Sequence, residues 1–375
     1  RAIDQQFAMA MLARGTTTMS RQQIADEMTR LKMTGGISSF ETTRANLPEA
    51  LRLVAQVFQT PSFPAAEFEE LKRQTVTGLQ RQLDDPEMRS FDARSAHFNT
   101  YPPGDPRHYI PIAERIKLVE QATLEGAKSY WKEFVGTARG EIAIVGDFDD
   151  KAVEAELQKL FTGQRSAAPY ARVDREYRPV KPARIFIDAP DKENAYVRAR
   201  IDLPLRDDDP DAAALFLADW IFGGGSGLSN RLIDRLRQKE GLSYGGGSGL
   251  VLGSRQAYSN WNMTIQVAPQ SVAKAEAAMK EELERARRDG FTAAEVADAK
   301  KGLLQDRAVS RSQDGALASG WVGNLDRGRT WQFSKQFEDR LMAVTPEQAT
   351  AAFRKYIVPA DLTFVVAGDA KKGAK

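Results

Sequence analysis

Cysteine is absent from the 375 residues, and histidine occurs only twice, at His97 and His108. The first absence excludes disulfides and thiolate chemistry, and it suits cytoplasm and periplasm equally. The second leaves too few imidazoles for the usual hydrolytic zinc site, which takes three protein ligands and keeps one position open. Pro102, Pro103 and Pro106 lie between the two histidines, so the pair cannot occupy adjacent turns of one helix, as helical zinc motifs require. No apolar run approaches the roughly 20 residues that span a bilayer. Nor does one sign of charge dominate: 53 basic and 51 acidic side chains leave a formal charge of +2, a poor basis for binding nucleic acid.

Other familiar chemistries lack their supporting residues. Asp84-Asp85, Asp149-Asp150 and Asp207-Asp208-Asp209 form loop-like clusters that read as solvated charge. Ser312 and Ser319 have neither a local base nor a nucleophile-elbow setting. The glycines from Gly223 to Gly227 follow a helical pattern and precede no Gly-Lys-Ser/Thr, so they do not read as a phosphate loop.

What the chain does contain is an internal repeat. Phe63-Pro64-Ala65-Ala66-Glu67, followed by Lys72-Arg73, recurs as Phe291-Thr292-Ala293-Ala294-Glu295, followed by Lys300-Lys301. Thr123, Ala127, Phe134, Gly146 and Asp147 recur as Thr345, Ala349, Tyr356, Gly368 and Asp369 at one constant offset of 222 residues. Two repeats in the same order indicate duplication of a whole domain rather than a solenoid. The chain should therefore hold two similar α+β domains, 1–170 and 183–375. Charge and proline replace the apolar pattern between them, and 171–182 reads as a linker.

In the first half, apolar spacing predicts helices over Arg21 to Leu31, Leu47 to Phe58, Ala65 to Leu83, Leu124 to Phe134 and Lys151 to Phe161. Ser20, Asn46 and Thr123 are candidate caps. Glu141 to Val145 is the clearest strand, with Gly146-Asp147 as its exit. Ala2 to Leu12 reads as a helix interior without a start signal, so the expectation is that upstream sequence has been removed.

In the second half, strands are expected at Arg184 to Ile187, Ala195 to Leu203, Leu242 to Leu252, Ala257 to Val267 and Leu362 to Val366. Ala195 to Leu203 alternates cleanly enough to predict one buried face. Helices are expected at Asp211 to Ile221, Val272 to Arg288, Ala293 to Arg307, Trp331 to Val344 and Pro346 to Tyr356. Few, non-adjacent strands among many helices suit helices layered on mainly antiparallel sheets.

The most informative stretch runs from Phe222 to Tyr244. A glycine run leads into a helix in which Leu228, Leu232 and Leu236 share a buried face, and Gly241 can end it in a left-handed conformation. Arg237 then falls at the helix end and Tyr244 just past the turn. A fixed guanidinium fork and a phenol brought to one space can hold a peptide carbonyl or support charge developing on it. They supply no nucleophile, so their use implies a hydrolytic centre carried elsewhere.

Leu236-Arg237-Gln238-Lys239-Glu240-Gly241-Leu242-Ser243-Tyr244, with its glycine-rich approach and Asn230-Arg231-Leu232, resembles the arginine-tyrosine segment of the insulinase, or pitrilysin-like (M16), zinc peptidases. The resemblance extends through Arg14-Gly15-Thr16, Asn46 to Phe63 and the strand ends near Asp147 and Asp369. Active members carry His-x-x-Glu-His and a distal glutamate. Here Gln6-Phe7-Ala8-Met9-Ala10 stands in that place, and Thr77 or Gly78 at the distal one.

The resemblance therefore implies the non-metal half of a clamshell enzyme. No metal would be bound in this chain, and zinc would be expected in a metal-bearing partner half, upstream in the same polypeptide or as a separate subunit. Arg237 and Tyr244 would position a peptide substrate and support its transition state, with the periplasm as the compartment. It also permits a catalytically inactive scaffold or peptide-capture module.

Overall fold

The computed structural model describes residues 1–137, 139–163, 165–225 and 230–373. Its backbone divides into two compact units, one of Arg1–Leu79, Ala113–Arg172 and Arg311–Asp326, the other of Gln80–Ile112, Val173–Ser310 and Arg327–Lys375.

The first unit is dominated by helices, among them Ala2–Met11, Arg21–Arg30, Leu47–Gln59, Leu124–Phe134 and Asp150–Phe161. Their starts follow from capping chemistry. Ser20 forms a reciprocal capping box with Gln23, and Thr123 and Asp149 accept from the Gly126 and Ala152 amides. Asn46 departs from its expected role: its side-chain amide donates 3.0 Å to the Leu31 carbonyl instead of capping the helix that follows. Leu12, Ile24, Leu31, Met33, Leu53, Val54 and Val57 form a core beneath the antiparallel hairpin β1 (Thr34–Gly36) and β2 (Ser39–Glu41). Glu141 to Val145, read as a strand, joins no ladder among the described residues.

The second unit is built on a five-stranded sheet of β3 (Arg184–Asp188), β4 (Ala195–Leu203), β5 (Ser243–Val251), β6 (Ser259–Val267) and β7 (Thr363–Gly368), in the order β3-β7-β4-β6-β5. Among the described strands of this sheet only β3 and β7 run parallel; the other ladders are antiparallel. The alternation read from sequence explains one face. Val197, Ala199 and Leu203 of β4 join Trp261, Met263, Ile265 and Val267 of β6 in a core closed by the helices Ala212–Asp219, Val272–Asp289 and Pro346–Tyr356. Full burial of a side chain of this kind contributes roughly 1.5–3 kcal/mol.

The opposite face of β4 is not left to solvent, contrary to the one-sided reading. A helix that the apolar pattern did not announce, Pro86–His97, lies over it, and Arg198 and Asp202 are buried there. Arg198 donates to Ser90 Oγ at 2.8 Å and to Glu87 Oε1 at 3.0 Å, and Arg89 donates to the Asp188 carbonyl at 2.8 Å. Two further helices, Ile112–Gln121 and Asp314–Arg327, were likewise unannounced.

Candidate functional site

The stretch expected to carry function begins with a packing problem. The helix Ala212–Asp219 runs on into a wider π-helical turn, Trp220–Gly224, closed by a 3.0 Å bond from Gly225 N to the Trp220 carbonyl. Inserted turns of this type recur at functional sites. Its glycines are needed for contact: a Cβ on Gly223 would lie 2.9 Å from Ser248 N, and one on Gly224 would lie 2.5 Å from Asp219 Oδ2. The run thus lets the turn press against β5, which accounts for its composition without any phosphate.

Asp219 holds this contact from inside. Its buried carboxylate accepts from Ser248 Oγ at 2.6 Å, Trp261 Nε1 at 2.6 Å and Leu250 N at 3.1 Å, tying the helix end to both β5 and β6. Burial pushes its pKa up to about 6 despite the three donors. Sequence reasoning missed this residue; its only signal was one acid inside the apolar run Ala212 to Phe222.

Residues 226–229, and with them Leu228, lie outside the described residues. Beyond them Asn230 accepts from the Ile233 amide at 2.9 Å and starts a short helix, Arg231–Ile233, that widens into a second π-helical stretch, Asp234–Lys239. Leu232 and Leu236 are buried, as their spacing implied. Gly241 has φ +62°, the left-handed conformation expected of it. A 2.8 Å bond from Leu242 N to the Leu236 carbonyl then closes the loop.

That bond joins the limb from which Arg237 departs to the limb leading into Tyr244. Tyr244 is 63% exposed, and Arg237 is exposed as well. No hydrogen bond or guanidinium–ring contact joins the two side chains among the described residues. The neighbouring cations are already committed. Arg231 forks onto Glu295 at 2.6 and 2.7 Å, Arg235 pairs with Glu281 at 2.8 Å and with Glu240, and Lys239 pairs with Asp234 at 2.8 Å. Burial would raise the pKa of Glu295, but Arg231 and Thr292 bring it down to about 2. Arg237 alone of these four cations carries no acceptor among the described residues, so its charge is available to a ligand.

Tyr244 owes its exposure to a β-bulge. Ser243 pairs with Val267 and Gly245 with Gln266, leaving Tyr244 as the extra residue between them. Bulges of this type re-aim side chains. The Ser243 hydroxyl pins it, lying 2.9 Å from the Gly245 carbonyl, 3.1 Å from the Gly245 amide and 3.1 Å from the Gln266 carbonyl. Only β6 pairs with β5 among the described strands, so β5 is the edge of the sheet.

The two histidines serve local structure. His97 Nε2 lies 3.0 Å from the Lys181 carbonyl, and His108 Nδ1 lies 2.7 Å from the Tyr101 carbonyl. Of the acidic clusters, Asp85 and Asp149 cap helices, and Asp207 forms a two-point pair with Arg329 at 2.5 and 2.9 Å. Asp207 is therefore a structural partner rather than solvated charge. Gln6 and Ala10 are exposed and Met9 is 43% exposed, so the face at the expected metal position offers an amide, a thioether and a methyl. These groups do not fit a zinc centre. Among the described residues no group of three or more His, Cys, Asp or Glu could hold a metal ion.

Residues 121–303 match the family described as Peptidase M16 inactive domain. No curated protein matches the sequence. Among solved structures the chain resembles a peptidase M16 inactive domain from Pseudomonas fluorescens, at 21% identity over 97% of this chain and 88% of that one, with a TM-score of 0.78. It resembles a protease from Helicobacter pylori at 15% identity, over 98% and 89% of the two chains, with a TM-score of 0.80. It also resembles the periplasmic protease PqqL from Escherichia coli at 13% identity, over 98% of this chain but 41% of that one, with a TM-score of 0.74. At these identities the solved structures establish a shared fold. The family match covers residues 121–303, and over the rest of the chain the likeness is one of fold.

Proposed function

From the match to the M16 inactive domain, we propose that the chain positions peptide for hydrolysis by a metal-bearing partner half, in the periplasm. The observation that supports this reading is Arg237, exposed and without an acceptor among the described residues beside three paired cations, on a loop whose other limb leads into the bulged Tyr244. Arg237 and Tyr244 hold the substrate carbonyl and the charge that grows on it, and edge strand β5 aligns the peptide by main-chain pairing. The zinc and the proton chemistry belong to the partner half.

The test is reconstitution with a zinc-bearing M16 half. The mixture should cleave unstructured peptide, and the chain alone should not. Arg237→Ala should lower turnover by about 10²-fold, in the range for losing one transition-state donor, and Tyr244→Phe by less. Association of the halves and thermal stability should stay unchanged in both variants. Unchanged turnover would leave the chain as a scaffold or peptide-capture module.

A further inference from the structure

The outer face of the sheet holds a cation that the reading above does not use. Arg94 extends from the helix Pro86–His97 onto this face and is 8% exposed. Among the described residues its one side-chain hydrogen bond is to a neutral amide, from Nη1 to Asn262 Oδ1 at 3.1 Å, and its guanidinium lies 4.8 Å from the centre of the Phe91 ring. Nε is sealed from solvent without an acceptor.

The charges around it do not compensate. Arg198 and Arg200 approach from β4, and both are already satisfied: Arg198 by Ser90, Thr264 and Glu87, Arg200 by Asp202 at 2.7 Å and the Tyr258 hydroxyl at 3.0 Å. Asp202 is committed to Arg200, and Asp92, on the same helix as Arg94, accepts from the Tyr109 hydroxyl and the Ile112 amide. Burial, followed by repulsion from Arg198 and Arg200, draws the Arg94 pKa down to about 10. A buried guanidinium normally has a carboxylate fork opposite it, and no carboxylate among the described residues bonds to Arg94.

Access comes from the β5 side. The β5 residue opposite Asn262 is Gly249, and the space a side chain would fill there is open. Asn262, itself only partly buried, passes its amide hydrogen to Asn260, so the polar row β6 presents there is already ordered.

We propose that Arg94, oriented by Asn262, is a carboxylate-binding site on the outer face of the sheet, which takes a carboxylate of a peptide lying across β6 and β5. That the ligand is a peptide rests on the function proposed above; that the site takes a carboxylate rests on Arg94 and its surroundings. The carboxylate has two sources, an acidic side chain or a free C-terminus.

Three probes separate them, each titrated calorimetrically into the full chain without a partner: acetyl-Ala-Glu-Ala-amide, acetyl-Ala-Gln-Ala-amide and acetyl-Ala-Gln-Ala with a free carboxylate. Preference of tenfold or more for the first identifies a side chain, and for the third a C-terminus. Arg94→Met, which keeps the stem and removes the charge, should abolish the preference, and so should Asn262→Ala. Circular dichroism shows that each variant is folded, and either variant suffices if the other is not. Equal affinity for all three probes, or a preference that survives in a folded variant, overturns the proposal. Because this assay needs neither Arg237 nor a metal-bearing half, its result is independent of the reconstitution above.

Discussion

Two segments of nearly the same sequence character meet different fates. Thr363–Gly368 and Glu141 to Val145 both carry a short apolar run with a Gly-Asp exit, at positions related by the internal repeat. The first is β7, buried at every residue between β3 and β4. The second joins no ladder among the described residues, and Ile142 is 47% exposed. Their exits differ too. Asp369 accepts from the amides of Asp191, Lys371 and Lys372 at 2.9, 2.8 and 3.2 Å, whereas Asp147 is an exposed partner of Arg44. A local pattern can favour extended backbone, but a strand is completed only by neighbours distant in sequence.

The largest effect should come from placing a charge in each segment. Val366→Asp buries an unpaired carboxylate in the core and should destabilise the second unit by at least about 4 kcal/mol. Ile142→Asp, at an exposed position, should stay within about 0.5 kcal/mol. Segment-resolved hydrogen exchange reads the two units separately, and a large loss from Ile142→Asp would show that the first segment is as firmly held as the second.

The sheet's buried acid sharpens the contrast next. Asp219→Ala leaves three donors unmet and should cost the second unit on the order of 2–4 kcal/mol. The pH dependence has a definite sign. Unfolded, this carboxyl ionises near the usual aspartate value of about 3.9; folded, it keeps its proton to about 6. Between these values the native state binds more protons, so stability falls as pH rises and levels off above about 6. Asp219→Asn should flatten that slope in denaturant titrations across the same range.

A smaller difference should appear at the exits. Asp369→Ala should speed exchange of the Asp191 and Lys371 amides roughly tenfold by removing their acceptor. Asp147→Ala should leave amide exchange around Gly146 unchanged.

Much of the fold was legible wherever burial was apolar and periodic. Ala65–Leu83, Ala195–Leu203 and Pro346–Tyr356 have the boundaries their patterns implied. The helix Pro86–His97 was hidden because its buried stripe is Pro86, Ser90 and Arg94, a spacing of one turn without the apolar signal. In the candidate segment, the left-handed Gly241 and the buried Leu232 and Leu236 were legible from local chemistry. Ser243 and Asp219 were not, since a hydroxyl pinning a bulge and an acid receiving donors from two strands depend on which strands meet.

The glycines of β5 carry one further consequence. With Gly245, Gly246, Gly247 and Gly249 in a nine-residue strand, its surface consists largely of amides and carbonyls, alike at every second residue. Such a rail has few notches to hold a neighbouring chain at one setting. A companion strand displaced by two residues would meet almost the same bonds, leaving its final setting to be decided by features beyond the rail.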